Sequence, residues 1–138
     1  MLPSETNQEL WIRPTPWAML RELQRLIKRG ELTRTPRLGD RTPGQPKGYR
    51  IGRQVILRLL DSHGRQQLSR HVAVTDLIVR RLQELMETDL TGCGPAYRTW
   101  GDVQRALALF EKRPVLPHEP VTIVAFTYHP LPTAEVPS

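Results

Sequence analysis

The alternation of apolar and polar positions divides the chain into a few short elements. Trp17, Leu20, Leu23, Leu26 and Ile27 recur at helical spacing, with Pro16 suited to the first turn, Thr15 able to cap and Gly30 able to stop the helix. Glu31 to Arg37 then reads as an extended segment, because Pro36 biases Thr35 toward extended geometry. Leu38 to Gly48 carries the Gly, Pro, Asp and Thr of a long irregular loop. Tyr49 to Gly52 leads into a strand at Gln54 to Leu60, Asp61-Ser62-His63-Gly64 reads as a turn, and Gln67 to Thr75 returns with period-two alternation that Leu77 to Val79 extend or re-pair. Leu82 to Leu90 predicts a short helical turn, broken by Thr91-Gly92-Cys93-Gly94-Pro95. A second helix, Trp100 to Lys112, is capped by Thr99 and faces inward through Val103, Leu107 and Phe110. Val121 to Tyr128 is a final strand after a proline-stiffened connector.

This order predicts an α+β fold: a small antiparallel β-barrel with flanking helices, whose closure removes exposed sheet edges. The expected organisation is a polar N-terminal arm over residues 1–14, pinned by Trp11 and Ile12, a single domain over 15–129 and a proline-rich tail over 130–138. A length of 138 residues suits one domain with one core, and the sequence holds no internal repeat.

Charge changes the picture. From Arg25 to Arg58, ten Lys and Arg stand against two acids, so the window carries +8 and the remainder, within a chain total of +6, carries −2. The sequence pI is about 10.2. A basic patch localised on loop-like sequence attracts polyanions and steers their approach, which points to RNA or another nucleic acid as partner. No apolar run approaches the ~20 residues of a membrane span. The first 13 residues lack the basic start and apolar core of a secretory leader, so no membrane role is expected. One cysteine, Cys93, makes no internal disulfide, and the simplest compartment is a reducing cytoplasm. A monomer is the default expectation.

The chemistry-bearing residues fall mostly in or near the basic window. Thr35 and Arg37, two apart on an extended segment, share a face. Arginine offers a planar fork for phosphate. Arg34, Arg37, Arg41, Arg50 and Arg53 are candidate phosphate holders, Thr35 and Tyr49 candidates to orient base or sugar, and Lys47 a further cation reaching from the loop. Taken alone, Tyr49 reads rather as turned inward at the start of the core. Catalytic candidates are Thr35, Lys47 and His71, with Lys28 as an alternative lysine at the end of the first helix. His63, His71, His118 and His129 follow no metal-ligand spacing, so no metal or other cofactor is expected. Cys93 between two glycines reads as a structural turn, and Asp89 as a partner for Arg80 or Arg81.

Several segments together resemble a known family. Gly30-Glu31-Leu32-Thr33-Arg34-Thr35-Pro36-Arg37 follows a helix. Tyr49-Arg50-Ile51-Gly52-Arg53-Gln54-Val55-Ile56-Leu57, Val72-Ala73-Val74-Thr75-Asp76, Leu85-Met86-Glu87-Thr88-Asp89-Leu90 and Val121-Thr122-Ile123-Val124-Ala125-Phe126 come after it in order. Over roughly Pro16 to Tyr128 this resembles the ASCH domain, a relative of the PUA domain. The family's mark is a Gly-x-Lys-x-x-Glu/Thr-x-Arg segment, matched here by Gly30, Thr35 and Arg37, with Leu32 in the lysine position. The resemblance implies a PUA-like barrel and RNA binding. With the charge window it leads to the expectation that RNA, another nucleic acid or a nucleotide binds in a basic cleft formed by the 31–53 segment and the outer face of the hairpin. Some members of the family act instead as metal-independent ribonucleases or as small amidohydrolases on acetylated cytidine. In those amidohydrolases the lysine and threonine work with a downstream glutamate, whose place here falls near Gly92 to Pro95, where no acid stands.

Overall fold

The first helix is a single-turn 3-10 segment, Trp17–Met19, running into α1, Leu20–Lys28. Its stop is a paired-bond C-terminal cap: Gly30, at φ +72°, donates its N–H to the Ile27 carbonyl (3.1 Å), and Glu31 donates to Leu26 (2.8 Å). The chain is described by a computed structural model covering residues 5–14 and 16–129. Thr15, the expected cap, and the tail 130–138 lie outside the described residues.

Five strands follow the order β1-β3-β4-β5-β2: β1 is Glu9–Ile12, β2 Arg34–Leu38, β3 Gln54–Leu60, β4 Gln66–Arg81 and β5 Pro120–Tyr128. The long β4 serves two neighbours. It pairs with β3 through its first half and with β5 through its second, and a bulge between Val74 and Asp76 turns it at the handover. That bend curls the sheet into a half-barrel. Leu82–Glu84 and Glu87–Leu90 form 3-10 turns, and α2, Trp100–Glu111, begins at Thr99 as expected. The Thr99 hydroxyl accepts from Asp102 N–H (3.3 Å) and the Asp102 carboxylate accepts from Thr99 N–H (3.0 Å), a reciprocal cap.

The expected α+β architecture of a curled sheet with flanking helices is the one observed, with two amendments: the sheet stops at a half-barrel that leaves β1 and β2 as edges where closure was expected, and its pairing is not wholly antiparallel. The sheet is mixed, because β1 runs parallel to β3. Glu9–Ile12, expected in an N-terminal arm, is thus a strand of the sheet. Leu10 and Ile12 enter the core while Trp11 and Arg13 face the other way. The apolar set divides into two clusters. One, beneath α1, gathers Leu10, Ile27, Leu32, Tyr49, Leu57 and Phe126. The other, beneath α2, gathers Leu82, Leu90, Cys93, Val103, Leu107 and Ile123. Strand β5 supplies both, which explains its near-continuous burial.

The sheet's two edges, β1 and β2, face each other. They are bridged by a side chain: the Arg37 guanidinium, from β2, reaches the Trp11 carbonyl in β1 (2.8 Å). Pro36, which cannot donate to a ladder, is tolerated because β2 is an edge strand.

Candidate functional site

The gap between those edges opens into a cleft. Its floor is Thr35, Pro36 and Arg37 of β2. One wall is the end of β1, Trp11 to Arg13, and the others are the Gly94–Tyr97 loop and the Phe110 end of α2. An inner recess of about 30 Å³ reaches Thr35, Cys93 and Tyr97. It continues into an outer bowl of about 220 Å³ bordered by Arg41, Lys47 and Glu111.

Local structure fixes each side chain. Gly92 takes φ +91° so that its carbonyl can accept from Thr33 (3.0 Å) and Arg34 (3.1 Å), and a Cβ there would sit 2.3 Å from Thr33 Oγ1. This docks the 92–97 loop on the start of β2 and forms the wall of the recess. On the opposite side, Thr122 of β5 organises the basic loop. Its buried hydroxyl donates to the Gly39 carbonyl (2.7 Å) and accepts from Arg41 N–H (2.9 Å). Arg41 in turn accepts at its carbonyl from Tyr49 N–H (2.8 Å). Arg41 and Lys47 are thereby carried to the rim of the bowl.

The recess is aromatic as well as cationic. Arg13 lies 5.3 Å from the Trp11 ring centroid and 5.6 Å from that of Phe110, within cation–π range of both. Burial pushes the Tyr97 hydroxyl up to about 12, against the pull of Arg37, so it stays a neutral donor. Burial likewise pushes the Cys93 thiol up to about 12, which favours its protonated form. Burial is the largest single influence on Arg37 and works against its charge, but the Glu5 carboxylate with Tyr49 and Tyr97 together outweigh it, and the guanidinium titrates above its ordinary range. Arg41 shifts the other way, lowered first by burial and then by the Arg37 charge.

The expected site residues separate into two groups. Thr35, Arg37, Arg41 and Lys47 share the cleft. Thr35 is buried, and its Oγ1 accepts from Arg37 Nη1 (2.8 Å). The others go elsewhere. Arg34 turns back to donate to the carbonyls of Thr88 (3.0 Å) and Asp89 (3.1 Å), closing the 3-10 turn there. Tyr49, offered as a base platform, is 1% exposed in the core. Its hydroxyl donates to the Glu9 carbonyl (3.2 Å), and burial raises its pKa. Arg50 is exposed outside the cleft, and Arg53 lines a separate shallow groove with His71. The cleft is thus set by the 35–47 segment, β1 and α2, without the outer face of the hairpin. Leu32, in the family's lysine position, is 1% exposed and packs in the core, and the exposed Lys28 lies outside the cleft. Asp89 meets Arg80 (3.6 Å), one of its two expected partners.

Sequence reasoning missed Glu5, Trp11, Arg13 and Tyr97. Of the four, Trp11 and Arg13 lie in or beside a short apolar run, Leu10-Trp11-Ile12, whose strand character shows only once β3 pairs with it. Among the described residues no group of three or more His, Cys, Asp and Glu assembles. No described helix is long and apolar enough to cross a membrane.

A mixed sheet curled into a half-barrel with flanking helices is a fold known from solved structures, an ASCH domain among them. Two solved structures share it. An ASCH domain from Lactobacillus crispatus JV V101 superposes with a TM-score of 0.54 at 14% identity, over 78% of this chain and 70% of that one. A protein from Enterococcus faecalis V583 described under the family model DUF984 superposes with a TM-score of 0.58 at 16% identity, over 99% of this chain and 89% of that one. No family model matches the sequence, and no curated protein does.

Proposed function

We propose that the cleft binds a nucleotide unit of RNA or another nucleic acid. One observation carries the reading: Arg37, Arg41 and Lys47 converge with three aromatic rings, Trp11, Tyr97 and Phe110, on a single hollow. Cations at the rim suit phosphate, and aromatic walls suit the face of a base. The ASCH-type fold adds to the reading by analogy.

The arrangement supports binding over cleavage. A general acid or base must stand within hydrogen-bond reach of the group it serves. Thr35 has Arg37 as its partner, Leu32 fills the place of the family lysine, Lys47 stands in the outer bowl and His71 in another groove.

The test is binding of short single-stranded RNA and DNA oligonucleotides, followed by fluorescence anisotropy across a salt series. Each phosphate neutralised on a single strand should contribute about −0.7 to the slope of log K against log salt. Affinity that falls with salt, with the RNA intact after incubation, is the expected result. Absence of binding at low salt, or a flat response, overturns the reading, and shortened RNA would favour a ribonuclease.

A further inference from the structure

A guanidinium has five N–H donors, and in Arg37 all five are used within the protein. Nε donates to both oxygens of the Glu5 carboxylate (2.9 and 3.1 Å). Nη2 donates to Glu5 Oε2 (2.7 Å) and the Trp11 carbonyl (2.8 Å), and Nη1 to Thr35 Oγ1 and the Pro36 carbonyl (2.8 Å each). Glu5 therefore sits on the fork edge that would grip two oxygens of a phosphate. Its Oε2 also accepts from the Trp11 backbone N–H at 2.6 Å. Arg37 Nε, Arg37 Nη2 and the Trp11 N–H make a three-point anion site, and the protein's own carboxylate fills it.

Three observations distinguish this from a permanent clasp. Glu5 precedes the turn before the first strand, a segment whose other ties among the described residues are single hydrogen bonds: Glu9 N–H to the Thr6 carbonyl (3.1 Å), Gln8 N–H to Thr6 Oγ1 (3.2 Å), Asn7 Nδ2 to the Gly48 carbonyl (3.2 Å) and Ile56 N–H to the Gln8 carbonyl (3.0 Å). Glu5 and Arg37 also border the outer bowl, where four cations, Arg13, Arg37, Arg41 and Lys47, face two carboxylates, Glu5 and Glu111. A dianion would compensate that charge better than one carboxylate does. Finally, among the described residues the indole Nε1 of Trp11 is buried with no hydrogen-bond partner, an unmet donor beside the same site.

We propose that the Arg37–Trp11 edge is the phosphate subsite of the cleft and that Glu5 is its intramolecular placeholder, displaced when a phosphate group enters. This rests on the cleft being a phosphate-binding site, and it adds where the phosphate goes and what competes for the place. Because Glu5 must leave first, apparent affinity is the intrinsic affinity reduced by the fraction of molecules already open.

Inorganic phosphate is the probe, with the full chain and its Glu5→Gln and Glu5→Ala variants. The Arg37 Nε–H resonance is followed by NMR as phosphate replaces chloride at matched ionic strength, and melting temperature is measured in the same buffers. Comparison with the unaltered protein removes the general stabilising effect of phosphate on folded proteins. The expected result is saturable movement of the resonance at roughly tenfold lower phosphate in Glu5→Gln than in the unaltered protein. A melting temperature that phosphate raises more in both variants than in the parent is expected with it. Responses no larger in the variants overturn the proposal and make Glu5 a structural clasp. If Glu5→Ala does not fold, Glu5→Gln decides, and if neither folds, the resonance of the unaltered protein must move at high phosphate or the proposal fails. Loss of RNA binding with the phosphate response intact would instead sink the nucleic-acid reading and leave the subsite standing.

Discussion

Cys93 shows how burial decides chemistry at a single residue. A thiol between two glycines beside a cationic cleft has the outline of a nucleophile, yet it is 3% exposed and its pKa is pushed up to about 12 by burial. The folded thiol therefore keeps its proton while the unfolded one loses it at an ordinary pKa of about 8.5. Stability must fall as pH rises between those two values, since the native state binds the proton and the unfolded state does not. Two results are expected. Alkylation of Cys93 by iodoacetamide at pH 8 should be slow and should accelerate with denaturant. The fall in melting temperature between pH 8 and 10 should be shallower in Cys93→Ala than in the parent. Rapid alkylation under native conditions would show an open, ionised thiol instead.

The same dependence on surroundings operates between elements. The 92–97 loop forms a wall of the recess only because Gly92 adopts a left-handed backbone and lets Thr33 approach. Gly92→Ala adds both the strain of that φ and a clash with the Thr33 side chain. It should destabilise the fold by about 1–3 kcal/mol in a urea titration and loosen the recess around Tyr97. Unchanged stability would mean that the loop re-docks without cost. The paired glycines were visible in the sequence as a turn, but the clash partner, about 60 residues away in sequence, was not. Helices α1 and α2, strands β3 to β5 and the Thr99 cap were legible because periodicity and capping are local signals. Strand β1 was not, because its four residues look like an arm until β3 is there to pair in parallel. The cleft was half legible for the same reason. Thr35 and Arg37 share a face by strand geometry alone, whereas Arg34, one residue from Thr35, is claimed by carbonyls more than 50 positions downstream.

Over the whole molecule, the basic window does not act as one patch. Strand pleat and loop geometry distribute its arginines: Arg37 and Arg41 with Lys47 go to the cleft, Arg34 to a 3-10 turn, Arg50 to open solvent and Arg53 to another groove. Long-range attraction depends on all of them, because the field of the whole protein sums over charges whatever their direction. Tight binding depends only on those that touch the ligand. The two contributions separate in a pair of double variants that remove the same charge, Arg41→Ala with Lys47→Ala, and Arg50→Ala with Arg53→Ala. If the cleft holds the nucleic acid, the first pair should weaken RNA binding by roughly tenfold or more at moderate salt and flatten the salt slope by about 1.4, two phosphate contacts on a single strand. The second pair should slow association slightly at low salt and leave the slope nearly unchanged. Equal losses from both pairs would mean that RNA responds to the summed charge of the surface and that the aromatic-lined hollow is incidental to it.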